Sequence, residues 1–239
     1  MTSVRSKAQA AQGPTAYVAC VQAALAPLAD AGKAGEMCAY MRGQFDFLGV
    51  QTPARRAALA ALGRASFDAA AALRAAEQLW RLPAREYRYA AVDLLARHAK
   101  VLRPEHVPRL LRLAQREAWW DTVDGLAGVV GDVLRLGRDT QQDVQQLMDK
   151  ALRHPSLWVR RIAMLHQLGW RLQTDTARLY AYAERLAPEQ DFFIRKAIGW
   201  ALRDYARWDP QGVERFVTRH ADDLSPLSVR EALRGLKKR

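Results

Sequence analysis

Trp119-Trp120-Asp121-Thr122-Val123-Asp124 opens a segment whose apolar positions continue through Leu126, Ala127, Val130 and Leu134. The spacing is that of one helix face. Trp119 falls within the stripe, while Trp120 lies roughly 60° and Asp124 roughly 100° to the same side of its centre. Because they are four residues apart, Trp120 and Asp124 are surface neighbours on the helix. A large aromatic and a carboxylate thus stand together beside the buried face.

Outward from this helix the chain reads as helical throughout. Tyr17, Val18, Val21, Ala24, Leu25 and Leu28 predict a helix over 16–31, broken by Gly32 to Gly35. A short segment over 34–42 carries Met37, Tyr40 and Met41. Thr52 and Pro53 form an N-cap and first-turn pair for a helix through Leu62. Pro83 opens or interrupts one over 82–100, and Pro104 and Pro108 introduce one ending near Arg116. Helices led by an aromatic then begin near Tyr87, Trp120, Trp158 and Phe193, at intervals of 33, 38 and 35 residues. Shorter helical stretches, such as 141–153 and 176–186, lie between them. No sustained period-two run rich in β-branched residues is found. The expected fold is all-α: a curved α-solenoid of HEAT-like repeats, forming a single domain over 16–239 behind a disordered lead over 1–15.

Composition agrees with a folded chain. Half the 239 residues are apolar and 10 are Pro, which argues against disorder. Lys and Arg number 37 against 25 Asp and Glu, a net charge of +12. That excess fits either a polyanionic partner or an Arg-rich, Ala-rich coding bias. Cys20 and Cys38 make no disulfide framework, and residues 1–15 lack a signal-like apolar region. No window approaches a membrane span, so a cytoplasmic location is expected. The five histidines show no metal-ligand spacing, and no Gly-rich phosphate loop is present, so neither metal nor cofactor is expected.

The repeat makes the basic residues informative. Arg160-Arg161 follows Trp158 and Arg195-Lys196 follows Phe193, in matching places 35 residues apart. Arg109, Arg112 and Arg116 add a stripe, and Arg230, Arg234, Lys237, Lys238 and Arg239 a basic end. Their recurrence in phase favours a patch suited to duplex phosphates over scattered surface charge. In the segment 192–207, Ile194, Ala197, Ile198, Ala201 and Tyr205 define the core face, and Trp200 falls roughly 120° from it. Gly199 beside it allows a close approach. Arg161 lies on the flank of its helix, and Arg160 points away. Trp119 and Trp158 read as core. Two readings of the off-core residues stand open at this point. Either Trp120 and Trp200 cover a groove between layers while Asp124 and Arg161 make ordinary ion pairs, or the four converge on a ligand.

Five separated stretches then carry a resemblance. They are 45–53 (FDFLGVQTP), 79–83 (LWRLP), 119–124 (WWDTVD), 192–200 (FFIRKAIGW) and 224–228 (LSPLS). Together they resemble the AlkD-type DNA alkylation repair glycosylases, in the family's order and over roughly 34–237. The resemblance implies a HEAT-like solenoid gripping duplex DNA. It assigns Asp124, Trp120, Trp200 and Arg161 to the active site and Tyr40 to a place beside the lesion. Arg160, Arg195 and Lys196 are expected to aid DNA binding, with Arg161 and its basic neighbours holding phosphates. The departures from the family are the longer lead and the neighbouring Arg160 and Arg195.

The implied activity is monofunctional excision of positively charged N3- or N7-alkylated purines from duplex DNA, by a monomer working without a deep base-flipping pocket. The alternatives are a non-catalytic module for damaged or branched DNA and a HEAT scaffold for protein partners.

Overall fold

The computed structural model describes residues 13–62, 65–137, 143–234 and 236. Among them the only regular secondary structure is helical. Most of the lead, residues 1–12, and the terminal Lys237, Lys238 and Arg239 lie outside the described residues. The start of the helix expected over 141–153 also lies outside them. The chain divides into two compact units, 1–102 and 103–239.

In the first unit, α1 (Pro14–Leu25) begins with Pro14 at its first position, so Pro14 and Thr15 belong to the helix and not to the lead. The expected break at Gly32 to Gly35 is absent. Asp30 caps α2 (Ala31–Tyr40) by accepting the Lys33 N–H at 3.0 Å, and both glycines lie inside that helix. A side-chain cap satisfies an otherwise orphaned N–H and outweighs the weak propensity of glycine. Helix α3 (Thr52–Ala61) takes Gln51 as its N-cap, one residue before the expected Thr52. Helices α4 (Ala69–Trp80) and α5 (Arg85–Arg97) pack on each other, and α1 packs on both.

The stretch 45–50 is not helical and is tied down by α5. Glu86, fully buried, accepts the backbone N–H groups of Leu48, Gly49 and Val50 at 2.9–3.0 Å. Arg85, equally buried, stacks on Phe45 with its guanidinium 3.7 Å from the ring centroid. Three N–H donors satisfy the acceptor oxygens of this carboxylate away from water.

The second unit is a stack of helix pairs. They are α6 (Val107–Ala114) with α7 (Trp120–Gly137), α8 (Gln146–Ala151) with α9 (Leu157–Leu165), α10 (Thr176–Leu186) with α11 (Phe192–Tyr205), and α12 (Pro210–Arg219) with α13 (Pro226–Leu233). The second members also pack in series, α7 on α9, α9 on α11 and α11 on α13. Equivalent positions of successive repeats therefore become neighbours, the property that the 33–38-residue spacing anticipates. Val123, Leu126, Val130 and Leu134 are fully buried, as the stripe requires.

One close approach sets the α7–α9 distance. A Cβ on Gly131 would lie 1.9 Å from the His166 carbonyl oxygen, a backbone atom that cannot swing aside. Alanine gains about 1 kcal/mol of helix propensity over glycine. Overpacking against backbone costs about 3 kcal/mol or more, so the clash wins. Gly131→Ala is expected to lower the thermal midpoint by roughly 4–8 °C, at 2–4 °C per kcal/mol for a chain of this size. An unchanged melting curve would contradict the helix spacing described.

Candidate active site

The site is built from α7, α9, α11 and α13 of the second unit. Asp124 lies one turn into α7. From α9, Arg161 reaches it with a two-pronged bond, Nε to Oδ1 and Nη2 to Oδ2, both at 2.7 Å. Arg161 Nη1 donates a further short bond to the Phe193 carbonyl at the start of α11. The guanidinium side chain is 1% exposed while the Asp124 side chain is 22% exposed. The pair is therefore buried on its cationic side and open on its anionic side. Burial pushes the Asp124 carboxyl above the usual carboxylate range, although the bonds and charge of Arg161 pull the other way and Asp121 adds a small push upward.

Trp200 stands beside this pair on α11. Its ring centroid lies 5.3 Å from the Arg161 guanidinium and 5.4 Å from Lys196 Nζ. Its indole Nε1–H donates to Glu231 Oε2 at 3.2 Å. Glu231 also accepts from Lys196 Nζ and Arg203 Nη1, each at 2.8 Å. The hydrogen bond from Lys196, opposed by burial and helped by both neighbouring cations, holds the Glu231 carboxyl below the usual range. Trp120 opens α7 one turn before Asp124 and is half-buried.

Four of the residues singled out from sequence, Asp124, Arg161, Trp200 and Lys196, thus come together, and Trp120 shares a helix face with Asp124. Arg160 and Arg195 are engaged elsewhere. Arg160 forms a two-pronged pair with Glu189, at 2.7 and 2.8 Å, and donates to the carbonyls of His154 and Pro155. Arg195 donates to the Glu189 carbonyl at 3.0 Å and to the Gln190 side chain. Both cations therefore brace residues 189–190 rather than standing as free phosphate contacts. Arg161 likewise spends three of its five N–H donors inside the protein. Its burial makes it a support for Asp124, not the phosphate contact expected from sequence. Arg112, Arg116, Arg230 and Arg234 are exposed. Tyr40 belongs to the first unit, at the end of α2, with 73% of its surface exposed.

Trp119 and Trp158 are not core residues. Half-buried, they pack with Phe193 at centroid distances of 4.9–5.7 Å, and Phe192 beside them is 56% exposed. The reason is positional. Trp119 precedes the first helical residue, its carbonyl accepting the Val123 N–H at 3.1 Å, so its side chain is not aimed by the wheel of α7. Glu231 escaped the reading of the sequence, because no motif marks it. The available signal was the repeat itself, which puts Glu231 35 residues after Lys196.

A family model described as DNA alkylation repair enzyme matches residues 21–236. A solved structure described as a predicted DNA alkylation repair enzyme from Enterococcus faecalis is similar at a TM-score of 0.80 and 30% identity, over 88% of this chain and 98% of that one. No curated protein matches the chain. The chain belongs to the DNA alkylation repair enzyme family. Its role is therefore in DNA repair, with DNA as its partner. Among the described residues no group of three or more His, Cys, Asp or Glu could hold a metal ion, and no helix is long and apolar enough to cross a membrane.

Proposed function

We propose that the protein is a monofunctional alkylpurine-DNA glycosylase, a HEAT-like repeat enzyme that hydrolyses the N-glycosidic bond of positively charged N3- or N7-alkylated purines in duplex DNA. The observation that carries this reading is the partly exposed Asp124 carboxylate, fixed by a buried arginine that the Trp200 indole flanks.

The chemistry needs little more. An N3- or N7-alkylpurine already carries a positive charge and departs as a neutral base without prior protonation. The remaining barrier is the oxocarbenium character that develops on the deoxyribose. A preorganised carboxylate stabilises that charge and orients the attacking water, as carboxylates do in sugar hydrolysis. Asp124 supplies the charge, and the rigid fork of Arg161 holds it still. Trp120 and Trp200 offer aromatic faces to the cationic nucleotide, worth roughly 0.5–2 kcal/mol each. Phosphates are gripped by exposed arginines such as Arg112 and Arg230. The enzyme works as a cytoplasmic monomer and leaves the lesion stacked, so it requires no deep base pocket.

Release of N7-methylguanine or N3-methyladenine from a methylated duplex tests the proposal directly. A protein that binds such a duplex and releases no base would be a binding module instead. The pH dependence adds a second handle. Only ionised Asp124 stabilises the transition state, and burial raises its carboxyl above the usual carboxylate range. The single-turnover rate should therefore fall as pH drops, with a midpoint above that of a solvated aspartate. Burial of this charge acts on stability with the opposite sign. The folded state holds the proton more tightly, so this group's contribution to stability declines as pH rises from the unfolded pKa through the folded one. An excision rate that is flat down to pH 4 would rule out the assigned role.

A further inference from the structure

The two matching basic pairs, 160–161 and 195–196, play matching parts. The first member of each braces residues 189–190. The second turns toward Trp200 and is neutralised there by a carboxylate from an adjacent repeat. Arg161 meets Asp124 of α7, and Lys196 meets Glu231 of α13. Asp124 has a proposed chemical role, whereas nothing so far assigns one to Glu231.

Glu231 is built into its place. Ser225 caps α13 by accepting the Ser228 N–H at 3.1 Å. Ser228 Oγ in turn donates to the Arg195 carbonyl of α11 at 2.9 Å. Gly199 lets the helices meet, since a Cβ there would lie 2.5 Å from the Glu231 Cβ and 2.9 Å from the Ser228 carbonyl oxygen. The glutamate side chain is 7% exposed, and both carboxylate oxygens are occupied, Oε1 by Lys196 and Oε2 by the Trp200 indole and Arg203. A surface ion pair needs none of this pinning.

We propose that Glu231 is a positioning residue of the active site, one that fixes the Trp200 indole through Nε1 and offsets the Lys196 charge beside the ring, so that the ring can receive a cationic nucleotide. The proposal rests on the glycosylase reading. With Glu231 in place, each of the two cations near the Trp200 ring is paired with a carboxylate, Lys196 sharing its partner with Arg203. Without it, Lys196 and Arg203 lose that anion, the lysine beside the ring repels an alkylated purine, and both cations are released toward DNA phosphates. Loss of the Glu231 charge should therefore weaken catalysis while strengthening the grip on DNA, a combination that simple structural damage does not produce.

Glu231→Gln keeps the shape and an acceptor for the indole but removes the charge. Its single-turnover excision rate should fall about tenfold, within the range of couplings found in hydrogen-bonded charge networks. Its duplex affinity should rise, with the salt slope steeper by about one to two phosphate contacts, since Lys196 and Arg203 are both freed. Equal affinity and equal rate in this variant would overturn the charge role. Glu231→Ala removes the indole bond as well. In a Trp200→Phe background it should cost no more rate than Glu231→Gln does, because the N–H it acts through is gone; a larger loss would overturn the positioning role. The Trp200 Nε1–H resonance, assigned by its disappearance in Trp200→Phe, provides a readout independent of activity. It should be exchange-protected in the wild type and in Glu231→Gln, and exposed in Glu231→Ala. An unchanged resonance in Glu231→Ala would refute the placement. If the wild type releases no base, the glycosylase reading falls, and the indole resonance still decides whether Glu231 positions Trp200.

Discussion

Asp124→Asn is expected to abolish release of N7-methylguanine from a methylated duplex, by about 10³-fold in single turnover, the scale on which a preorganised electrostatic group acts. Asparagine has nearly the same volume and still offers one oxygen to Arg161, so the fold should survive. The difference lies in charge. An amide dipole opposes the positive charge growing on the deoxyribose far less than a carboxylate does. The substitution also removes one negative charge facing solvent, so duplex binding should persist or tighten slightly. Base release measured by chromatography, alongside duplex affinity and a melting curve, separates these effects. Undiminished release by Asp124→Asn would end the glycosylase mechanism as proposed, because among the described residues Asp124 is the only carboxylate bonded to Arg161.

Arg161 should show the largest effect on stability. Its side chain is 1% exposed and its donors serve Asp124 and the Phe193 carbonyl, joining α7, α9 and α11. Removing one partner from a buried pair typically costs about 3–5 kcal/mol, because the other charge is left uncompensated. Arg161→Ala should accordingly lower the thermal midpoint by roughly 6–20 °C, at 2–4 °C per kcal/mol. Asp124 is better hydrated than its partner, which places the expected drop toward the lower end. Arg161→Lys restores the charge but not the planar two-pronged fork. It should recover part of the stability and little of the excision rate. Arg161→Ala removes both downward pulls on the Asp124 carboxyl, and Arg161→Lys weakens the hydrogen-bonding one, so the acid limb of the pH profile should move to higher pH, further in Arg161→Ala. An Arg161→Ala protein that melts like the wild type, with an unmoved acid limb, would show that the pair supports neither fold nor chemistry.

These effects differ in how far a reader of the sequence can foresee them. The off-core placement of Asp124 and Trp200 follows from helical periodicity alone, since the angle of a side chain about its own helix axis depends only on its position. The stacking of α7, α9 and α11 follows from the spacing of Trp120, Trp158 and Phe193. Wheel reasoning fails at the helix starts. Trp119 and Trp158 count as core on the wheel, yet they meet Phe193 in a half-buried cluster, because side chains at a helix's first turn can lean past its end.

Local patterning thus specifies an all-helical repeat chain, its apolar faces and most of the residues beside them. Which charges meet is settled by how the helices pack. Asp124 finds Arg161 37 residues away, Lys196 finds Glu231 35 residues away, and Arg160 is drawn off to Glu189. The physical reason is that a charge's partner is set by the distance and rotation between neighbouring helices. Those depend on contacts such as Gly131 against His166 and Gly199 against Glu231, and periodicity within one helix carries no record of them.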